Sequence, residues 1–196
     1  MSLKDKEKWD SKYSTEDCLA GRDPCGWLTE NREALTGKGR VLDLAMGEGR
    51  NAIFAAQLGY EVLGVDISEV GARKAESFAQ QKGVSIETQV VDLDSWPLPK
   101  NTFDLVICFY FLDRKLFPAI RDSLKPGGLV IYETFNKDHL KYSGLKPEWV
   151  LDYGELLKTF ADYRILHYRE TDDHEDEKGT ASILARKTEK PDDDSK

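Results

Sequence analysis

The stretch Val41-Leu-Asp-Leu-Ala-Met-Gly-Glu-Gly-Arg-Asn51 decides how the chain folds. Val41, Leu42 and Leu44 give a short buried-strand pattern, and Gly47 and Gly49 follow at once, where a tight loop must form. Asn51-Ala-Ile-Phe-Ala-Ala-Gln-Leu58 then carries helix formers with an apolar face, and Gly59 stands where a left-handed residue ends a helix. Strand, glycine loop and helix form one unit. A loop without Cβ atoms lets the backbone approach a ligand closely, beside the free N–H groups of the helix N-terminus.

Two ligand classes use such a unit. Gly47-Glu-Gly49-Arg-Asn-Ala52 satisfies G-x-G-x-x-G/A, and Asp66 ends the next strand at the spacing of a ribose-binding carboxylate, so a dinucleotide fold is a real rival. Asp43 argues against it. On the strand just before the loop, its carboxylate would face a doubly negative pyrophosphate. S-adenosylmethionine brings an ammonium and a sulfonium and no phosphate, so the sign there is right.

The composition narrows the choice. At 196 residues the chain suits one domain and leaves little room for a separate substrate domain. A formal charge of −8 without a long Lys/Arg cluster argues against nucleic acid as partner and for a small or non-anionic substrate. Cys18, Cys25 and Cys108 show no paired zinc-type spacing and read as reduced thiols, so neither a disulfide framework nor a metal site is expected. The charged N-terminus lacks the apolar core of a signal peptide, and no segment is long enough to span a bilayer; a cytoplasmic protein without membrane partners is expected.

Before the first strand, residues 1–36 read as short helices with a break at Asp23-Pro24-Cys25-Gly26. Trp9 and Tyr13 share a helical face. The plain reading staples these aromatics to the domain; the functional one makes the segment a lid, with Tyr13 or Trp27 against a ligand. Further on, Glu61-Val-Leu-Gly-Val-Asp66 is a second strand, and Ser68 caps a helix running to Gly83. Residues 85–91 give a third strand ending in Asp92-Leu93-Asp94, where the acids could meet a ligand or begin an Asx turn. Phe103-Asp-Leu-Val-Ile-Cys108 is a central apolar strand, followed by Phe109, Tyr110, Phe111 and Leu112. Cys108 is read as core rather than nucleophile, whereas Tyr110 and Asp113 are candidates for substrate contact. A helix over 115–123 meets Leu124-Lys-Pro-Gly-Gly128, which suits a type II turn before a strand over 129–133.

Residues 136–150 read as a loop above the sheet, with His139 either a general base or a solvated surface group. A helix over 151–160 and strands over 163–169 and 180–186 close the fold as an antiparallel hairpin, joined by the charged connection 171–178. His174 among those acids is read as part of a solvated charge run. A disordered tail is expected over 188–196.

These motifs resemble the class I S-adenosylmethionine-dependent methyltransferases, whose first motif is an acid, a short spacer and G-x-G. Asp43 to Gly49 match, with Ala45 where many members carry glycine, and Leu-Lys-Pro-Gly-Gly is a mark of the same family. Gly-Arg-Asn at 49–51, Tyr-Glu-Thr-Phe at 132–135 and Gly-Glu-Leu-Leu at 154–157 resemble its small tellurite-resistance and thiopurine-type branch.

The resemblance implies an α/β, Rossmann-like, mostly parallel doubly wound sheet in the order 3-2-1-4-5-7-6 with an antiparallel C-terminal hairpin. It also implies one domain over 1–187, with 1–36 as a helical lid. S-adenosylmethionine would lie against Asp43, Ala45, Gly47, Gly49 and Asn51, the ribose on Asp66 and Ile67, and the adenine near Asp92 and Leu93, with Cys108 at the end of the fourth strand. The implied reaction is methyl transfer to a small acceptor, such as a soft sulfur, selenium or tellurium centre, with Tyr110, Asp113 and His139 as candidate catalytic groups. A monomer or weak homodimer is expected. An NAD(P)-linked oxidoreductase and a non-catalytic S-adenosylmethionine-binding module stay open as alternatives.

Overall fold

The computed structural model describes residues 3–15 and 17–188. Two short helices, α1 (Leu3–Tyr13) and α2 (Gly26–Glu30), precede the sheet. Then β1 (Arg40–Leu44), α3 (Arg50–Gln57), β2 (Glu61–Asp66), α4 (Glu69–Gln81) and β3 (Glu87–Val90) alternate. β4 (Phe103–Phe109), α5 (Phe117–Ser123) and β5 (Leu124–Phe135) follow, and α6 (Glu155–Thr159), β6 (Arg164–Asp173) and β7 (Lys178–Arg186) close the fold.

The strands form one seven-stranded sheet in the order β3-β2-β1-β4-β5-β7-β6. β1 lies parallel to β2 and β4, and β7 runs antiparallel to both β5 and β6. This is the doubly wound order with a terminal hairpin that the motifs imply.

Period-two alternation divides the core. Leu42, Leu44, Val65, Val106, Cys108, Val130 and Tyr132 point to one face, where they meet Phe117 and Ile120 of α5 and Leu156 of α6. Val41, Val62, Leu105, Ile107 and Ile131 point to the other, against Trp27 and Leu28 of α2 and Ala52 and Ala55 of α3. Both faces are covered, so the central strands read as unbroken apolar runs.

Local signals act where expected. Ser68 Oγ accepts the N–H of Gly71 and caps α4, and Gly59 takes φ 105° after α3. Three readings need correction. The stretch 124–128 belongs to β5 rather than preceding it, although Gly127 takes φ 77° there. The helix expected over 151–160 is only α6, because Leu151 bridges to Asn136 and Gly154 is left-handed. Half of the charged connection 171–178 is strand, leaving residues 174–177 as the hairpin loop. β6 is an edge strand whose partly exposed face tolerates alternating acids. Apart from Thr188, the expected tail lies outside the described residues. Among the described residues no helix is long and apolar enough to cross a membrane.

Candidate active site

The carboxyl ends of β1, β2 and β4 open into one cavity of about 220 Å³. It lies at the switch point of the sheet, where the strand order reverses beside β1. Asp43, Ala45, Met46, Gly47, Glu48, Arg50 and Asn51 line it from the first unit, and Asp66 and Ile67 from the end of β2. Phe109, Tyr110 and Phe111 wall it beyond β4, and Trp9, Tyr13 and residues 19–21 cover it from the N-terminal segment.

The glycines of the loop are required by space and by conformation. Gly47 has φ 57°, and a Cβ there would stand 2.7 Å from the Tyr13 hydroxyl. Gly49 has φ 82°, and a Cβ there would stand 2.6 Å from the Cβ of Ala75 on α4. Ala45 also takes a positive φ, 53°, so the alanine occupies a position that favours glycine.

Two carboxylates of opposite condition face the cavity. Asp66 is buried, and both oxygens hold backbone donors: Oδ2 accepts from Gly47 N at 2.8 Å and Oδ1 from Ser68 N at 2.8 Å. Burial raises its pKa while these bonds pull it back. Its remaining lone pairs can take the two hydroxyls of a ribose. Asp43 is 1 % exposed, and its Oδ2 has no hydrogen-bond partner. Burial pushes this carboxyl up to about 8, the Ala52 N–H opposes the shift, and Asp66 adds to it. An orphaned buried carboxylate is costly, and an ammonium is the group that relieves it.

The other expected site residues divide. Asn51 is fixed by accepting the N–H of Cys25 through Oδ1 at 2.9 Å, and its side chain borders the cavity. Gly49, Asp92, Leu93 and Cys108 lie outside the cavity wall. Leu93 points into the core at 2 % exposure, and Asp92 forms an Asx turn, its Oδ1 accepting from Asp94 N at 3.0 Å. Cys108 is fully buried, which raises its pKa and leaves it unreactive. Trp27 lies in the core beneath Arg169, 4.6 Å from ring to guanidinium, so of the two proposed lid aromatics only Tyr13 meets the cavity.

Of the candidate catalytic groups, Tyr110 alone lines the cavity. It holds φ 54°, its N–H donates to Glu133 O at 2.8 Å, and its hydroxyl donates to Glu133 Oε1 at 2.9 Å. Lys178 Nζ donates to the same hydroxyl. Asp113 caps the turn at Arg114–Leu116 by accepting Lys115 N at 3.0 Å. His139 stacks on Phe135 at 3.9 Å, and burial, then the charge of Lys178, lowers its pKa.

Sequence reasoning missed Glu48, Arg50 and residues 19–21. Arg50 stands in the Gly-Arg-Asn motif, and its position just inside a helix after a ligand loop was the available signal. Nothing local marked residues 19–21, which reach the cavity only through long-range contacts.

Residues 41–128 match the family model of a methyltransferase domain. Those residues carry a methyltransferase-domain signature, and the likeness is to the S-adenosylmethionine-dependent class I. The chain is 30 % identical over 148 residues to the ubiquinone biosynthesis O-methyltransferase of Thiobacillus denitrificans, covering 67 % of this chain and 63 % of that protein. It is 34 % identical over 128 residues to the ribosomal protein L11 methyltransferase of Thermus thermophilus, covering 57 % of this chain and 50 % of that one. The chain spans about half the length of the first curated relatives it matches.

Its fold is that of TehB from Haemophilus influenzae, with a TM-score of 0.71 and 21 % identity over 93 % of this chain and 67 % of that one. An S-adenosylmethionine-dependent methyltransferase from Aquifex aeolicus superposes with a TM-score of 0.68 at 18 % identity, over 90 % of this chain and 97 % of that one. S-adenosylmethionine is the cofactor of this class, and the residues present fit it. The orphaned oxygen of Asp43 suits its ammonium, and Asp66 suits its ribose.

Proposed function

We propose that the protein transfers the methyl group of S-adenosylmethionine to a small acceptor that meets the cofactor beside Tyr110 and Phe111. The unpartnered oxygen of Asp43 carries this reading, because a buried carboxyl before a glycine loop is satisfied by ionising against a cationic ligand, which a pyrophosphate is not. The cofactor supplies an electrophilic methyl on a good leaving group. The protein's work is to orient it and exclude water. Asp43 holds the ammonium, Arg50 reaches the carboxylate of the same amino-acid end, and Asp66 holds the ribose. Ile67 packs beside the nucleoside.

The acceptor wall supports a soft nucleophile. Among the described residues lining the cavity there is no histidine or lysine, Asp43 and Asp66 are assigned to the cofactor, Glu48 is paired with Lys74, and the Tyr110 hydroxyl is committed to Glu133. A thiol or a related selenium or tellurium centre is nucleophilic without a dedicated base, whereas an alcohol or phenol needs a group to take its proton.

Transfer of labelled methyl groups to thiol, selenide, tellurite and phenol acceptors tests the proposal. Turnover of the soft acceptors and none of the phenol is the expected result. Turnover of the phenol alone would move the function toward oxygen acceptors, as in the ubiquinone O-methyltransferases. Cofactor binding without transfer to any acceptor would make the protein a binding module.

A further inference from the structure

The N-terminal segment is tied over the cavity by a small set of side chains, and Lys74 on α4 carries more of the named ties than any other. Its Nζ donates to Tyr13 O at 3.1 Å, Thr15 O at 2.9 Å and Asp17 O at 3.2 Å. The same ammonium pairs with Glu48 Oε1 at 2.5 Å. Glu48 lies between the two loop glycines, is 7 % exposed, and accepts the N–H of Leu19 through Oε2 at 2.7 Å. One cation therefore joins the C-terminal carbonyl of α1 to the loop that receives the cofactor. A positive charge at those carbonyls also suits the dipole at a helix C-terminus.

The tied elements form part of the cavity wall. Trp9 and Tyr13 stack at 5.6 Å and both line the cavity, as do Leu19, Ala20 and Gly21. The cavity of about 220 Å³ is thus partly roofed by α1 and by residues 19–21. The other ties lie at the start of α4 and on α3. Asp10 accepts from Ser68 Oγ at 2.6 Å and Val70 N at 3.2 Å, and Arg50 donates to Ala20 O at 2.6 Å.

We propose that Lys74 is a positioning residue for the methyl-transfer reaction: by clamping α1 to Glu48 it closes the cavity over the bound cofactor and sets the rate at which cofactor and spent product leave. Lys74 is not in the cavity wall, so it acts through Tyr13 and Glu48 rather than on the ligand. This inference rests on the methyltransferase reading of the cavity.

The test is the release of S-adenosylhomocysteine, followed by stopped-flow fluorescence of Trp9, from the full chain and from Lys74→Met, Lys74→Arg and Arg73→Met. Lys74→Met removes the cation and keeps the stem. It is expected to speed release about tenfold and to raise the apparent KM for S-adenosylmethionine in parallel, with the single-turnover rate at saturation held within about twofold. Lys74→Arg restores slow release, and Arg73→Met, which removes a neighbouring exposed cation, leaves it unchanged. Release from Lys74→Met within twofold of the unaltered protein overturns the inference while leaving the cofactor reading intact. Failure of the unaltered protein to bind S-adenosylhomocysteine overturns both. Should Lys74→Met not fold, Lys74→Gln takes its place under the same two outcomes: release about tenfold faster keeps the clamp, and release within twofold of the unaltered protein removes it.

Discussion

The backbone N–H of Gly47 donates to Oδ2 of Asp66 at 2.8 Å, so the carboxylate that ends β2 also shapes the loop that follows β1. Two strands thus build one site through a bond that exists before any ligand arrives. The same carboxylate holds Ser68 N through its other oxygen and so aligns the start of α4.

Asp66→Ala should therefore lose more than a ligand contact. It leaves two buried N–H donors without partners, at a cost of about 1–3 kcal/mol each. Thermal unfolding of the ligand-free protein should show a lowered Tm, and calorimetry should show loss of S-adenosylhomocysteine binding. An unchanged Tm would mean that the loop holds its shape without Asp66.

Asp43 should couple binding to pH. Its folded pKa, raised to about 8, lies above the ordinary carboxylate value near 4, so between those values the folded state holds a proton that the unfolded chain has released. The stability contribution is fully present below about pH 4 and declines as pH rises toward 8. Asp43→Asn should flatten that decline in a series of melts from pH 5 to pH 8. Binding an ammonium requires the ionised carboxylate, so S-adenosylmethionine binding at pH 7 should release a proton, visible as a buffer-dependent enthalpy. Proton uptake would reverse the assignment.

Tyr110→Phe should separate the ring from its anchor. The ring stays in the wall, but Glu133, 4 % exposed, loses one of its donors and keeps Ser182 Oγ at 2.6 Å. A loss of about 1–3 kcal/mol in a denaturant titration is expected, with S-adenosylhomocysteine affinity within about threefold. A large loss of affinity with unchanged stability would give the hydroxyl a direct role in binding.

His139→Ala should leave turnover of a thiol acceptor within about threefold. The ring is stacked on Phe135, lies outside the cavity wall, and is held toward its neutral form. Loss of turnover with a thiol would restore His139 as a base and contradict the account of the acceptor side.

Much of the fold was legible because its signals are local. Asp43 with Gly47 and Gly49, the Ser68 cap and the apolar run from Phe103 to Cys108 each depend on neighbours within a few residues, and each stands in its expected element. The site was legible where a residue's place follows from the end of a strand, as for Asp43 and Asp66. It was not where position depends on distant contacts. Leu93 follows a strand end as Ile67 does, yet it turns into the core while Ile67 meets the cavity. Trp27 and Tyr13 are both aromatics before the first strand, and only the packing of α2 against β4 and β5 separates a core residue from a wall residue. The acids of β6 read as loop because an edge strand's solvent face carries no apolar period.

Calorimetric titration with S-adenosylmethionine, S-adenosylhomocysteine and NADH, on the unaltered protein and on Asp43→Ala, tests the central claim most directly. Micromolar binding of the two methionine-derived ligands, lost in Asp43→Ala, with no response to NADH, is the predicted result. Tight NADH binding and silence toward S-adenosylmethionine would contradict it, since Asp43 would then face a pyrophosphate in place of the cation assigned to it.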